Sequence, residues 1–278
     1  MESIHRPIVV PWDFTPVAEN ALAHANNICN ILKRDIILLH LVDKEDAIDL
    51  STKKLETKIT ELEKDIKHKM HPVVRSGNIF ETITDVAHEF TAEMVVMGTH
   101  GRKGMQKVTG SWALKVMANA KVPFLVVQDK PKKDTFKNVV FPIDFRKENK
   151  EKVGWIQYFS KNYNSKFLLF KRKSADKGFK RRISSNLHYA ENYLKNNDVE
   201  YEIHTAKGSS SFEKETVQFS KDMDAGMIIV LITRDIGFFD YMVAAREQYM
   251  ISNPENIPVI CINPKPAKLA SGFRALGG

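Results

Sequence analysis

The chain repeats itself once, and this repetition limits its fold more than any other feature. The segment Val10–Phe14 (VPWDF) returns 131 positions later as Phe141–Phe145 (FPIDF). Four further landmarks return in the same order, ending with Pro123–Val127 and Pro258–Ile262. A repeat of this length indicates one structural unit present twice. We predict a first unit at residues 1–131, a second at residues 136–266 and a C-terminal tail at residues 267–278.

Each unit alternates short apolar runs with stretches whose apolar residues recur at helical spacing. In the first unit, Thr15 followed by Pro16 predicts the start of a helix. The apolar runs predict five strands, at Ile8–Pro11, Ile36–Val42, Val73–Arg75, Met94–Met97 and Phe124–Val127. This order predicts an α/β fold with a doubly wound parallel sheet in each unit. Ligands of such sheets bind beyond the carboxyl ends of the strands.

A glycine-rich segment follows the fourth predicted strand of the first unit. It reads MGTHGRKGM from Met97 and ends at Gly110 and Ser111, where a helix is predicted. Glycine lets the backbone approach an anion, and a helix N-terminus presents free N–H groups. Arg102 adds a charged donor and Ser111 a hydroxyl. The segment therefore predicts a phosphate-binding loop.

Together with the PWDFT opening at Pro11 and the second strand, this loop resembles the universal stress protein family, and the resemblance extends over both units. ATP-binding members of that family carry an Asp after the first strand and the pattern G-x2-G-x9-G-[ST]. The resemblance implies a fold like that of the adenine nucleotide α-hydrolases and a site for ATP or ADP with Mg²⁺. The implied site residues are Pro11, Asp13, Leu41, Val42, Met97, Gly98, Gly101, Arg102, Gly110 and Ser111.

The resemblance also implies what these residues do. Asp13 would bond ribose or adenine, and the backbone of Leu41 or Val42 would face adenine. The glycines, Arg102 and Ser111 would hold the phosphates. The implied protein is a non-catalytic, nucleotide-binding stress-response protein.

The nucleotide loop departs from the family pattern at one point. Eight residues separate Gly101 from Gly110, one fewer than in that pattern. An alternative therefore stays open, in which neither unit binds nucleotide and the chain is an interaction or scaffold protein. The second unit keeps a single glycine, Gly237, in its corresponding loop, so we predict no ATP site of the same kind there. Asp144 is then predicted to cap a helix or a turn.

Enzymatic activity has little support in the sequence. Enzymes of the related α-hydrolase class carry a Ser-Gly-Gly-x-Asp-Ser type of loop after the first strand, where this chain reads PWDFT. The histidines lack a metal-ligand spacing. We therefore predict no catalytic residue and no metal ligand, and at most slow ATP hydrolysis.

The positive charge is confined to the second unit and the tail. The chain carries a net charge of +8, while the acidic and basic residues of residues 1–131 cancel. The densest basic cluster predicts a site for an anionic ligand or an acidic protein at Lys171, Arg172, Lys173, Arg181 and Arg182. A solvated surface is the alternative. No nucleic-acid motif accompanies the cluster, so we predict no nucleic-acid partner.

The remaining expectations concern compartment and assembly. No run of about 18 apolar residues and no signal-peptide core is present, which predicts a cytoplasmic protein without a membrane partner. Cys29 and Cys261 are predicted to be buried free thiols. The apolar last strands, Phe124–Val127 and Val259–Ile262, would be open edges unless they paired with each other. We therefore predict an intramolecular pseudo-dimer, and a homodimer remains open.

The loop generates a first testable prediction. Gly110→Asp introduces a side chain and a negative charge where the motif places phosphate, so we expect loss of ATP binding with an unchanged circular dichroism spectrum. Substitutions at Thr233 or Gly237, in the second unit, should have little effect. Calorimetric titration measures both, and two equivalent sites per chain would contradict the prediction.

Overall fold

The computed structural model describes residues 4–99, 117, 120, 122–132, 136–232 and 247–263. The first unit contains β1 Ile8–Pro11, α1 Pro16–Leu32, β2 Ile36–Val42, α2 Ile48–Leu62, β3 Met70–Ser76, α3 Ile79–Glu89, β4 Met94–Gly98 and β5 Phe124–Val127. The second unit contains β6 Asn138–Ile143, α4 Gly154–Tyr163, β7 Lys166–Lys171, α5 Lys177–Asn196, β8 Tyr201–Thr205, α6 Phe212–Asp222, β9 Met227–Leu231 and β10 Val259–Ile262.

Helix α1 begins where the sequence predicts. The Thr15 hydroxyl accepts a hydrogen bond from the Ala18 N–H at 3.4 Å, and Pro16 occupies the first helical turn, where its missing N–H is not needed. Lys33 ends the helix in the left-handed conformation, with φ of 53°. Local signals therefore determine both ends of this helix.

The third strand is longer than predicted. It begins at Met70 rather than Val73 and pairs with β2 over seven residues. Pro72, which has no N–H, lies within it. Because β3 is the edge strand of the sheet, this residue needs no partner on its outer side. The predicted strand, Val73–Arg75, was too short, because His71 and Pro72 interrupt the apolar pattern although both lie in the strand.

All ten strands form one sheet in the order β3-β2-β1-β4-β5-β10-β9-β6-β7-β8. Both units use the same internal order, and every pairing among the described strands is parallel except that of β5 with β10. The predicted α/β fold with two five-stranded parallel halves is therefore confirmed. The carboxyl ends of the parallel strands lie at opposite edges of the sheet in the two units, because the contact between β5 and β10 is antiparallel.

We call this contact the seam. It aligns Val126 with Val259 and Leu125 with Ile260, and these strand residues are almost fully buried. Beside it, the Gln128 side-chain amide donates to the Asn253 carbonyl at 2.9 Å. The two apolar last strands thus satisfy each other's backbone groups.

Two apolar layers cover the sheet, one on each face. Alternate residues of β1 divide between them, with Ile8 and Val10 in one layer and Val9 in the other. Each layer contains residues from both units. Cys29 and Cys261 lie in these layers as buried free thiols, as predicted.

The seam generates a prediction about stability. Ile260 is 1% exposed and faces Leu125 across the seam, whereas Ile203 on the edge strand β8 is 40% exposed. We expect Ile260→Ala to lower the free energy of unfolding by about 2–5 kcal/mol, since it leaves a cavity. The matched variant Ile203→Ala should lower it by about 1 kcal/mol or less. Denaturant unfolding measures both, and equal effects would contradict the prediction.

Candidate functional site

A cavity of about 460 Å³ opens at the carboxyl ends of β1, β2 and β4. Small-molecule sites typically occupy about 300–1,000 Å³. Six predicted site residues line it: Pro11, Asp13, Leu41, Val42, Met97 and Gly98. The other four predicted residues lie outside the described part of the chain: Gly101, Arg102, Gly110 and Ser111. The fold thus brings three separate segments of the predicted site to one place.

Asp13 is exposed at the cavity and organises the turn between β1 and α1. Its Oδ1 accepts hydrogen bonds from the Thr15 N–H at 3.1 Å and from the Thr15 hydroxyl at 2.5 Å. Phe14 between them has φ of 62°, an uncommon conformation for an aromatic residue, which these bonds help to hold. Within the described residues, Oδ2 has no hydrogen-bond partner. Asp13 therefore offers a fixed, open acceptor.

The wall beside Asp13 is formed by Trp12 and His40. The His40 Nδ1 lies 2.7 Å from the Trp12 carbonyl oxygen, and the backbone N–H of Trp12 donates to the Leu39 carbonyl at 2.7 Å. The Phe14 ring meets His40 edge-on at 5.0 Å, and the Lys54 ammonium lies 4.0 Å from the centre of the Phe14 ring. These contacts fix the ends of β1 and β2 relative to each other.

Leu41 presents backbone groups to the cavity. The backbone groups of successive strand residues point alternately to opposite sides. Since the Leu39 carbonyl faces β1, the backbone N–H and carbonyl of Leu41 face the same side. Because β1 ends at Pro11, opposite Leu39, these groups lie beyond the end of β1. Leu41 and Val42 both lie in register with β3, opposite Arg75 and Ser76, but by the same alternation it is the backbone groups of Val42 that face β3. Of the two residues predicted to face adenine, Leu41 has the free edge.

Gly98 has a packing role that the phosphate interpretation did not include. A Cβ at this position would collide with the carbonyl oxygen and side chain of Val17, so glycine lets β4 approach the first turn of α1. The next residue, Thr99, is 2% exposed, and its hydroxyl has no hydrogen-bond partner in the described part of the chain. A buried unpaired hydroxyl is costly, and this one lines the cavity.

Sequence reasoning missed ten lining residues. They are Trp12, Thr15, Val17, Ala18, Leu39, His40, Asp43, Gly77, Ile79 and Thr99. All of them lie near the end of a predicted strand or at the start of the helix that follows it, so position relative to the strand ends was the available signal.

In the second unit, a buried ion-pair network stands at the corresponding position. Asp144 accepts from the Arg146 N–H at 2.9 Å and from its guanidinium at 2.7 Å, and that guanidinium also reaches Glu247 at 2.9 Å. Asn149 and Asn186 add further hydrogen bonds to this turn. Asp144 is a turn residue, as predicted, but no pattern in the sequence indicated its ion pair with Arg146.

Burial and charge act in opposite directions in this network. Burial would raise the pKa of Asp144, but Arg146 and Lys152 hold it below its usual value. Burial raises the pKa of Glu247 to about 7 despite its contact with Arg146. Lys152 is 2% exposed and donates to the Pro142 carbonyl, and burial lowers its pKa to about 7. The charged side chains of this network therefore find their hydrogen-bond partners within the protein.

The predicted anion-binding residues lie at the end of β7 and in the first turns of α5. Lys173, Arg181 and Arg182 are exposed. Lys171 is half-buried, and the Arg172 guanidinium lies 5.6 Å and 5.7 Å from the centres of two aromatic rings, Phe145 and Phe212. Arg172 therefore packs on the protein instead of converging with the others.

Comparisons with known proteins agree with this geometry. The family model described as the universal stress protein family matches residues 5–128. A universal stress protein from Methanocaldococcus jannaschii is 30% identical over 149 residues, which are 48% of this chain and 87% of that relative. The chain belongs to the universal stress protein family. A second universal stress protein of that organism is 24% identical over 160 residues, which are 47% of this chain and 99% of the relative.

A solved universal stress protein from Archaeoglobus fulgidus shares the fold of both units. It superposes with a TM-score of 0.72 at 17% identity, covering 94% of this chain and 98% of that one. The curated universal stress proteins, by contrast, each match about half of this chain. The resemblance to the universal stress protein family is therefore confirmed, in a tandem arrangement.

Across the described residues, no group of three or more His, Cys, Asp or Glu side chains is placed to hold a metal ion. None of the helices in the described part of the chain is long and apolar enough to cross a membrane.

The buried lysine generates a pH-dependent prediction. Above pH 7 the folded chain holds Lys152 neutral, while the unfolded chain still protonates it up to about its ordinary pKa of 10.5. The unfolded state then binds more protons, so the free energy of unfolding rises with pH over this window. We expect Lys152→Met to make this rise smaller in denaturant unfolding at pH 7 and pH 9.

The matched control is Lys150→Met, on the same 3-10 turn at Lys147–Val153 but exposed. It should keep the pH dependence of the unmodified protein. Equal pH dependence in both variants would mean that Lys152 stays charged when folded.

Proposed function

We propose that this universal stress protein binds one adenine nucleotide, ATP or ADP with Mg²⁺, in the cavity of its first unit. The nucleotide would serve as a bound signal in a stress response without catalysis by the protein. The observation that carries the proposal is the cavity itself. It lies at the carboxyl ends of parallel strands, where such sheets bind ligands, and six implied nucleotide-site residues line it.

The cavity residues suit the parts of a nucleoside. The open Oδ2 of Asp13 would accept a hydrogen bond from ribose or adenine. The free backbone edge of Leu41 would face adenine, and the unpaired Thr99 hydroxyl would gain a partner. Mg²⁺ usually binds through substrate phosphates and water instead of an all-protein cage, so a metal cluster is not required.

One site per chain follows from the difference between the units. In the first unit the carboxylate of Asp13 is exposed with one oxygen free. In the second unit the equivalent Asp144 is buried and bound by Arg146 and Asn149. A nucleotide entering there would have to displace Arg146 from two carboxylates, which would leave buried charges unpaired.

A second candidate function is supported by the shortened loop between Gly101 and Gly110. Under this second candidate, the chain binds no nucleotide and acts through protein contacts alone. The cytoplasmic location expected from the sequence is compatible with either proposal.

Asp13→Asn tests the proposal sharply. The amide oxygen keeps the Thr15 hydrogen bonds, but an NH₂ donor replaces Oδ2, so the turn survives while the open acceptor is lost. A hydrogen bond to a charged group contributes about 1.5–3 kcal/mol, so ATP should bind roughly tenfold to a hundredfold more weakly. Isothermal titration calorimetry measures the affinity and the number of sites.

The matched control is Asp85→Asn, an exposed aspartate of α3 outside the cavity lining. It should leave binding unchanged. Absence of any adenine-nucleotide binding by the unmodified protein would favour the second candidate. Two equivalent sites, or full affinity in Asp13→Asn, would refute the proposed geometry.

A further inference from the structure

The two units carry opposite charges at equivalent places. The connection from β2 to α2 presents the acidic surface, formed by Asp43, Glu45, Asp46 and Asp49. The connection from β7 into α5 presents the basic surface, formed by Lys173, Lys177, Lys180, Arg181 and Arg182. All nine side chains are exposed, and within the described residues none of them forms an ion pair. At this place both units have a strand that leads into a helix, but the charge of the connection is negative in the first unit and positive in the second.

The basic surface is unfavourable for the helix on which it lies. The N-terminus of a helix carries a partial positive charge, which favours acidic residues in its first turn. In α5 that turn holds Lys177 and Lys180 and no acidic residue, and only Asp176 caps it, accepting from the Phe179 N–H at 2.7 Å. Stability of α5 therefore does not explain these charges.

Each surface also exposes a large apolar side chain. Leu50, beside the acidic surface, is 75% exposed, and Phe179, within the basic surface, is 39% exposed. The Phe179 ring is held in place by stacking on Phe145, with centres 4.2 Å apart and planes at 14°. Protein–protein contacts combine an apolar or aromatic centre with a polar rim, which is the arrangement that each surface offers.

The two surfaces cannot meet within one molecule. They stand at opposite edges of the sheet, because the seam is antiparallel. Seven strand intervals separate β2 from β7, which is roughly 33 Å at the usual strand spacing. For either surface, a protein partner with the opposite charge must therefore come from another molecule.

We propose that the acidic surface of one molecule binds the basic surface of a second copy of this chain. The chain itself supplies a partner of opposite charge with an exposed apolar residue. A nucleic acid would use the basic surface alone and would leave the acidic surface and Leu50 without a role. Since every molecule carries both surfaces, the contact either closes a dimer through two equal contacts or continues into longer assemblies.

Charge reversal tests this contact on the full chain by sedimentation velocity. Arg181→Glu with Arg182→Glu lowers the basic surface from five positive charges to a net charge of +1, and Asp46→Lys with Asp49→Lys cancels the four negative charges of the acidic surface. Each variant alone should self-associate at least about tenfold more weakly than the unmodified protein, because one side of every contact has then lost most or all of its charge. An equimolar mixture of the two variants should associate again through one contact per pair, since the intact acidic surface of one variant meets the intact basic surface of the other.

Salt and a matched variant control the result. Association should weaken from about 0.1 M to about 1 M salt, as the screening length falls from about 10 Å to about 3 Å. Lys64→Glu with Lys67→Glu reverses two exposed charges away from both surfaces and should leave association intact.

Three results would overturn the proposal. They are an unmodified protein that stays monomeric at every concentration, unaltered association of the reversed variants, and failure of their mixture to recover association. Binding of a single-stranded oligonucleotide by the basic surface, without self-association, would assign that surface to nucleic acid instead. Asp43 belongs both to the acidic surface and to the cavity lining, but none of the four substituted positions lines the cavity, so with sedimentation carried out without added nucleotide these results are distinguishable from nucleotide binding.

Discussion

The structure depends on the pairing of β5 with β10. Without it, each unit would end in an apolar strand with unpaired backbone groups, and both apolar layers of the sheet would be interrupted there. The pairing also fixes direction. Because the strands meet antiparallel, the carboxyl ends of the two parallel halves lie at opposite edges of the sheet. The cavity of the first unit and the basic surface of the second occupy opposite edges for this reason.

The aspartate that follows the first strand of each unit is exposed in the first unit, as Asp13, and buried in the second, as Asp144. Asp13 stays exposed because the residues that follow it, Phe14 and Thr15, turn directly into α1. Asp144 is followed by Arg146, whose guanidinium fits between two carboxylates and covers the site. Where the first unit has an exposed carboxylate beside a cavity, the second has a buried network of ion pairs and hydrogen bonds. Geometry around a residue, not its presence in a motif, decides which role it takes.

The sequence predicts those parts of the molecule that local signals and repetition determine. Thr15 and Pro16 mark the start of α1, and the repeated apolar strands determine the sheet. The ion pair of Arg146 with Glu247 joins residues 101 positions apart, so no local pattern indicates it. The packing role of Gly98 against Val17 is equally invisible, because a glycine required by a neighbouring backbone looks the same as one required by a phosphate.

The covalent link between the units changes what the seam requires. Two separate chains would hold such a contact only above a certain concentration, whereas a tethered pair keeps it at any dilution. Two identical chains would also carry every substitution twice, once on each side of the contact. In this tandem chain a substitution changes one side only. The second unit can therefore hold a buried ion-pair network at the place where the first has an open cavity.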